Sequence, residues 1–363
     1  MKKISFILSV LLIVSFFSFY SQFKSSKGSE GEQKKIVMDQ LMEDATLRAV
    51  ETSGKPEKIA TTTYEGLHTL IGVSGDEIIG LWGKPQRIDP SSYDYVWWIY
   101  KQNETSYIQV GVLDNKVVTI YAIGDGINID PFIINQPFED IVNKFPVLAT
   151  YTLEVEDNSY RFELSEEEQH VRPLFQFGDV WAQLYVDQFT NRLSSVRFLD
   201  SATLVKQRPY ELVYRGELVS PRELTKGDWL AVEKGSSQQI LDITNIIRKR
   251  HKLKDVIWHN ETSNVALLHS KDMKENNFFS HHSPTNGGLS DRLEVGNIKY
   301  QLAGENIAAK YVDGIAAVEG WLNSQGHRDT LLNREFTHLG VGVYEKYFTQ
   351  NFISTWELKT NKK

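Results

Sequence analysis

The chain opens with two lysines, Lys2 and Lys3, followed by an uncharged and mostly apolar run from Ile4 to Phe23. A positive start before an apolar run marks export of whatever follows. About 20 residues is enough to cross a bilayer as a helix. Phe19 and Tyr20 interrupt any small-x-small cleavage site near Ser18 to Ser21. Residues 1–23 are therefore expected to remain as a signal anchor, with the rest of the chain extracytoplasmic; cleavage instead would make the protein secreted. Residues 24–60 turn polar and charged. Within them Ile36, Val37, Leu41, Met42 and Leu47 keep a helical period, which predicts a stalk with one helix.

From residue 61 to residue 204 the pattern shifts to strands, and one unit occurs twice. In the first copy Ser74 and Glu77 form a capping box ahead of Ile78, Ile79, Leu81 and Trp82, and Gly83 and Pro85 end that helix. Strands follow at Tyr95 to Tyr100, Tyr107 to Leu113 and Val117 to Tyr121, with Asp114 and Asn115 as the turn. In the second copy Asn135 and Pro137 open a helix through Ile141, Val142 and Phe145 that Pro146 stops. Strands then run at Tyr160 to Leu164, Trp181 to Val186 and Leu193 to Phe198, with Thr190 and Asn191 as the turn. The recurrence of helix, strand and hairpin predicts an internal duplication. Tyr95, Trp97, Trp98, Tyr100, Tyr107, Trp181 and Tyr185 alternate between the two faces of these strands. They form either ordinary core or an aromatic binding face.

Residues 205–235 read as a connector, with a short strand or hairpin within Tyr210 to Val219. From 236 to 363 the order is helices first and strands last. Ser236 or Ser237 is placed to cap a helix bearing Ile240, Ile243, Ile246 and Ile247. A second helix carries Val265, Leu268 and Met273, and Asp313 caps a third through Ile315, Val318 and Leu322. Strands at Leu339 to Val343 and Tyr347 to Ile353 close the chain. The fold class is α+β.

Composition narrows the chemistry. The chain of 363 residues has no cysteine, which excludes disulfides, thiolate metal sites and cysteine nucleophiles. Its net charge of -7 repels polyanions on average, so nucleic acid is not an expected partner.

Four segments of the last third stand out: Phe279-Ser280-His281-His282-Ser283-Pro284, Gly304-Glu305-Asn306-Ile307-Ala308, Val318-Glu319-Gly320-Trp321-Leu322 and Gly326-His327-Arg328. Their order and spacing resemble the signature segments of the CAP superfamily, the type of cysteine-rich secretory, antigen-5 and pathogenesis-related proteins. The tail Thr337 to Val343 resembles its bacterial branch. Residues 61–204 look like the CAP-associated domain that precedes CAP domains in some bacterial envelope proteins. More loosely, their pattern is similar to that of beta-lactamase-inhibitor-like modules. The resemblance implies an α-β-α sandwich at 236–363 and a cavity lined by His281, Glu305, Glu319 and His327.

Two neutral imidazoles, His281 and His327, would hold zinc or another divalent ion weakly and leave positions open to water. Glu305 and Glu319 would orient them or bond that water, and Asn306 would fix the loop through backbone bonds. Taken singly, each has a blander reading: His281 as a solvated loop residue, Glu305 as a turn residue, Glu319 on a polar helix face, His327 as a helix stop. His282 beside His281 leaves the register open by one. His338 is expected on an exposed strand position, and His259 and His269 to be structural.

Three functions are compatible with these residues. The first is a metal-linked module that binds an envelope component, lipid or protein, attached to the membrane by its N-terminal segment. The second is a hydrolase of peptide or cell-wall material, with Glu305 or Glu319 as general base to a metal-held water; the chain has no HExxH motif and no recognisable nucleophile elbow. The third is a structural protein of the envelope or of a spore coat.

Overall fold

The computed structural model describes residues 65–355. The expected anchor at 1–23 and stalk at 24–60 lie outside them. Among the described residues no helix is long and apolar enough to cross a membrane.

The first part of the chain runs α1 (Gly75–Trp82), β1 (Arg87–Pro90), β2 (Val96–Asn103), β3 (Ser106–Leu113), β4 (Lys116–Gly124), α2 (Phe138–Val142), β5 (Thr150–Val155), β6 (Asn158–Glu163), α3 (Glu166–Val171), β7 (Leu174–Phe177), β8 (Val180–Asp187), β9 (Arg192–Asp200), α4 (Ser201–Gln207) and β10 (Glu211–Arg215). Ser74 and Glu77 form the capping box of α1. Asp114 and Asn115 both take positive φ, 48° and 59°, as a tight hairpin turn needs.

Seven strands form one sheet in the order β1-β2-β3-β4-β9-β8-β7. The copies β2-β3-β4 and β7-β8-β9 meet back to back through the antiparallel pair β4–β9. The residue before each helix bridges the first residue of the copy's last strand, Ser74 to Lys116 and Pro137 to Arg192. Each copy also has a register shift at the same place in its hairpin, beyond Gly111 in one and Tyr185 in the other. The duplication is therefore built into the hydrogen bonding as well as the order of elements.

One expected equivalence is different. Tyr160 to Leu164 is not the second copy's first sheet strand; β7 is. β6 belongs instead to a separate three-stranded sheet, β10-β6-β5, whose Tyr160 and Phe162 pack on Trp181, Leu199 and Leu204. β10 lies in the segment read as a connector, so 205–235 is partly structure of the first domain.

The second part runs α5 (Lys226–Arg250), β11 (Ile257–Trp258), α6 (Asn260–Glu275), α7 (Leu289–Val295), β12 (Leu302–Ala309), α8 (Gly314–Leu322), α9 (Gln325–Leu331), β13 (His338–Tyr344) and β14 (Tyr347–Ser354). α5 begins well before Ser236. Thr225 caps it, in a box with Asp228. Gly235, Ser236 and Ser237 lie buried inside the helix, and Ser237 donates to the Glu233 carbonyl. Their small size serves close approach: a Cβ on Gly235 would stand 2.7 Å from the Asp89 Cβ, and one on Gly314 would stand 2.8 Å from Ser236 Oγ.

The second sheet is ordered β11-β13-β14-β12. On one face Leu339, Val341, Val343, Phe348 and Phe352 pack with Ile240, Ile243 and Ile247 of α5 and Val318, Trp321 and Leu322 of α8. On the other, α6 lies directly over β13: Ser270 Oγ donates to the Gly342 carbonyl and Ser263 Oγ to that of Val341. Helices thus cover both faces, giving three layers.

The aromatic positions of the first sheet divide by face. Trp98 and Tyr100 join the inner core with Ile78, Ile120 and Phe198. Tyr95, Trp97, Tyr107, Tyr121 and Tyr185 face the other way, and α5 and α8 cover them, in one core with Ile240, Ile247, Ile315 and Trp321. The aromatic face is an interior of this chain.

Contact between α6 and β13 depends on glycine. A Cβ at Gly342 would stand 1.9 Å from Leu267 N and 2.3 Å from the Ala266 carbonyl carbon, both backbone atoms that cannot step aside. Gly342→Ala should therefore lower unfolding stability by more than about 3 kcal/mol. An unchanged urea midpoint would contradict this packing.

Candidate functional site

β12 is an edge strand, and its side chains alternate between the two helical layers. Glu305 points into the layer of α6 and α7, and Asn306 into that of α5 and α9. The Glu305 side chain is only 3% exposed. It accepts from Arg292 Nη2 at 2.6 Å and from His281 Nδ1 at 2.9 Å. In the orientation that satisfies its bonds, the Asn351 amide also donates to Glu305 Oε2, at 2.9 Å. Asn306 is fully buried and donates to the His327 carbonyl at 3.1 Å and to Gln350 Oε1 at 3.3 Å. It does fix backbone, but the backbone of α9.

His281 and His327 arrive from opposite layers and meet at this edge, with ring centroids 6.4 Å apart. A carboxylate only accepts, so His281 Nδ1 carries the proton toward Glu305 and leaves Nε2 with its lone pair. His327 Nδ1 is engaged by Ser324 Oγ at 2.9 Å. Burial, and to a smaller degree His281, holds the His327 imidazole below the ordinary histidine range, so it stays neutral at neutral pH. The structure selects His281 for Glu305; its neighbour His282 is exposed.

A buried network behind the pair was not foreseen. Arg292 Nη1 donates to His269 Nδ1 at 2.6 Å, which leaves His269 Nε2 to donate to the Ser280 carbonyl at 3.1 Å. Arg292 thereby joins Glu305, His269 and the loop that carries His281. Ser283 Oγ, donating to Asp272 Oδ2 at 2.6 Å, clamps the other end of that loop. No spacing in the sequence distinguishes Arg292 from a solvated helix arginine. His259 caps α6. His338 is half-buried rather than exposed, edge-on to His259 at 5.6 Å.

Glu319 is the correction. It is not with the histidine pair and Glu305. Its carboxylate is buried at the contact with the first domain, where Ser195 Oγ and Tyr121 Oη both donate to Oε1, at 2.5 and 3.1 Å. Oε2 has no hydrogen-bond partner. On α8 the residue lies on the side that meets the sheet, among Ala316, Ala317 and Val318, which are as deeply buried. Arg328, beside His327, is likewise drawn to the first domain, in a two-pronged pair with Asp187 at 2.9 Å on each prong.

Among the described residues no group of three or more His, Asp or Glu side chains is gathered to hold an ion. Two imidazoles on one tetrahedral ion, with bonds of about 2.1 Å, would place their centroids about 5 Å apart. The observed 6.4 Å requires a closure of roughly 1 Å, for which the His281 side chain, 56% exposed, has an open side. The donor set therefore fits an ion with two protein ligands and open positions.

Two outcomes follow from burial. His269 is pushed down to about 4, mainly by desolvation, with Arg292 adding to it and Glu305 opposing it. A histidine with a lowered folded-state pKa contributes stability above its unfolded value, near 6.5, and loses it as pH falls toward 4. About 3 kcal/mol should disappear over that window, and His269→Gln should be less stable at pH 7 but flatter with pH in denaturant titrations. Equal slopes would refute the assignment. Glu319 has the opposite sign, because burial raises its carboxyl pKa; its favourable contribution fades as pH rises through the folded value. Glu319→Gln should keep both accepted bonds and be as stable as the parent, or more so by about 1 kcal/mol, at pH 8. A loss of several kcal/mol would mean that the charge itself is needed.

Comparison with known proteins agrees with this architecture. Residues 71–210 match the model of the CAP-associated N-terminal domain, and residues 241–356 that of the cysteine-rich secretory protein family, CAP. YlbC, a membrane protein of Bacillus subtilis, is 51% identical over 304 residues, which cover 84% of this chain and 87% of YlbC. YkwD of the same organism is 40% identical over 118 residues, 32% of this chain and 46% of YkwD. The crystal structure of an extracellular SCP-domain protein from Bacillus anthracis aligns with a TM-score of 0.77 at 48% identity, covering 84% of this chain and 100% of that one. A cysteine-rich secretory protein from Staphylococcus aureus aligns with a TM-score of 0.70 at 25% identity, covering 80% and 96%. With both domains matched in order and a relative this similar along most of its length, the chain belongs to the CAP family of bacterial proteins, in the branch that carries a CAP-associated domain ahead of the CAP domain.

Proposed function

We propose that this protein is an extracytoplasmic, membrane-anchored binding module of the bacterial envelope, and that His281 and His327 hold a divalent ion, zinc or a similar borderline metal. The ion would present its open positions to an envelope component, lipid or protein. The observation that carries this reading is the pair of imidazoles brought from two layers to one sheet edge, with each Nδ1 engaged inside the protein. Bonds at Nδ1 are what orient a histidine for a ligand at Nε2. The location is supported by the apolar run Ile4 to Phe23 and by relatives described as a membrane protein and as extracellular.

Binding is favoured over hydrolysis by the state of the carboxylates. Glu305 is tied to Arg292, His281 and Asn351, so most of its acceptor capacity is already in use. Glu319 serves the domain contact. Neither is left as a base beside the pair.

With two protein ligands, affinity should be modest, and it should fall as the imidazoles protonate. After dialysis against zinc at pH 7.5, a condition chosen to lie about one unit above the ordinary histidine value, the protein should retain about one ion per chain. The His281→Ala/His327→Ala double variant should retain none while still unfolding cooperatively, at a midpoint lowered by the lost bond to buried Glu305. The His327 share of binding should persist below the ordinary histidine range, because its pKa is lowered. Equal metal content in parent and double variant would remove the pair from the site.

A further inference from the structure

A cleft of about 580 Å³ opens between the two domains where the end of α4, the segment before α5 and the loop before β2 meet Lys310, Val312 and Lys346. None of the residues discussed above as metal or cavity groups lines it. Five cationic side chains do, Lys206, Arg208, Arg222, Lys310 and Lys346, against a single carboxylate, Glu223. In a chain of net charge -7 this is a local reversal of sign, and low-dielectric walls strengthen the field inside such a cleft.

Two of these charges are already balanced. Lys206 pairs with Asp94 at 2.6 Å, and Arg222 with Asp228 at 2.9 Å. Arg208 and Lys346 are in a different position. Arg208 ends α4 in a left-handed conformation and donates to two neutral acceptors, the Val219 carbonyl and Ser220 Oγ. Its Nε is buried with no acceptor. Lys346 Nζ donates to the Tyr93 hydroxyl at 3.0 Å, itself already donating to the Val312 carbonyl. Burial lowers the Lys346 pKa; Asp313 opposes this and Arg208, to a smaller degree, adds to it. Two half-buried cations therefore face one cleft, repel each other, and have only neutral hydrogen-bond acceptors.

We propose that this cleft binds a phosphate group, held between Arg208 and Lys346. A phosphate supplies the charged hydrogen-bond acceptor that neither cation has, and enough oxygens for the Arg208 fork and the ammonium together. A carboxylate offers one charge and two oxygens. Ser92 and Trp229 also line the cleft, which leaves a polar and an apolar wall for an organic carrier of the phosphate.

The test is calorimetric titration of the full-length protein, stripped of metal with a chelator so that the histidine pair takes no part. Inorganic phosphate and glycerol phosphate are titrated separately at low salt. Saturable binding in the millimolar range or tighter is expected with at least one of them. It should weaken about tenfold or more in Arg208→Gln and in Lys346→Gln, weaken with added salt, and be unchanged in Lys271→Gln on α6. Tighter binding of the ester would mean that the group arrives on an organic carrier; tighter binding of the free ion would mean inorganic phosphate. If Arg208→Gln fails to fold, Arg208→Lys with Lys346→Gln carries the comparison. No saturable binding by the parent, or binding unaltered in the variants, overturns the proposal.

Discussion

The structure depends on the burial of one sheet face. Tyr95, Trp97, Tyr107, Tyr121 and Tyr185 would be an exposed aromatic patch if the first domain stood alone, and Ile240, Ile243, Ile247 and Ile315 would be exposed on the second. Each such side chain contributes about 2–3 kcal/mol when removed from water, so together they far exceed what holds two independent domains loosely. Apolar contact has no direction, and polar groups supply it. Arg197, with no exposed side-chain surface, bonds Asp313 at 2.8 Å, and Asp313 at the same time caps α8. Arg87 and Lys101 both hold Asp242 of α5. The register shift in the second hairpin lies beside Ser194, whose carbonyl accepts from Arg250 Nη2 at 2.7 Å.

This interface explains where the family signature residues went. Val318-Glu319-Gly320-Trp321 and Gly326-His327-Arg328 each serve two neighbours. Trp321 Nε1 donates to the Ile307 carbonyl of β12, while Glu319, two positions earlier on the helix, turns to Ser195 and Tyr121. Arg328 turns to Asp187, and the His327 carbonyl is held by Asn306. On a helix, adjacent positions face different ways. A motif read as a single cavity is thus divided between the sheet edge that carries the histidine pair and a domain contact.

Much of the fold was legible because it is local. The Ser74–Glu77 capping box, the Asp313 cap and the Asp114-Asn115 turn all act within a few residues, and each was found where expected. The histidines were legible only through resemblance, since no local pattern separates His281 from a loop histidine. What could not be read is long-range. The early start of α5 looked like connector because Gly235, Ser236 and Ser237 weaken the helical pattern, yet their small side chains are what let Asp89 and Gly314 approach. β6 read as part of the duplicated unit because a strand's pattern does not name its sheet. Nothing local in the sequence marks Arg292 and Arg197, since their burial is decided by carboxylates 13 and 116 positions away.

The division of the signature also couples the site to the interface. His327 sits on α9 between Ser324, which engages its ring, and Arg328, which is fixed to the first domain. His281 is set by a separate layer, through Glu305, Arg292 and the Ser280 carbonyl held by His269. The separation of the two rings is therefore governed by how α9 is seated on the first domain as well as by the CAP sheet. A CAP domain in which this seating is lost would keep its histidines and lose the constraint that sets the position of one of them. In this chain the preceding domain is therefore a structural part of the arrangement that places His327.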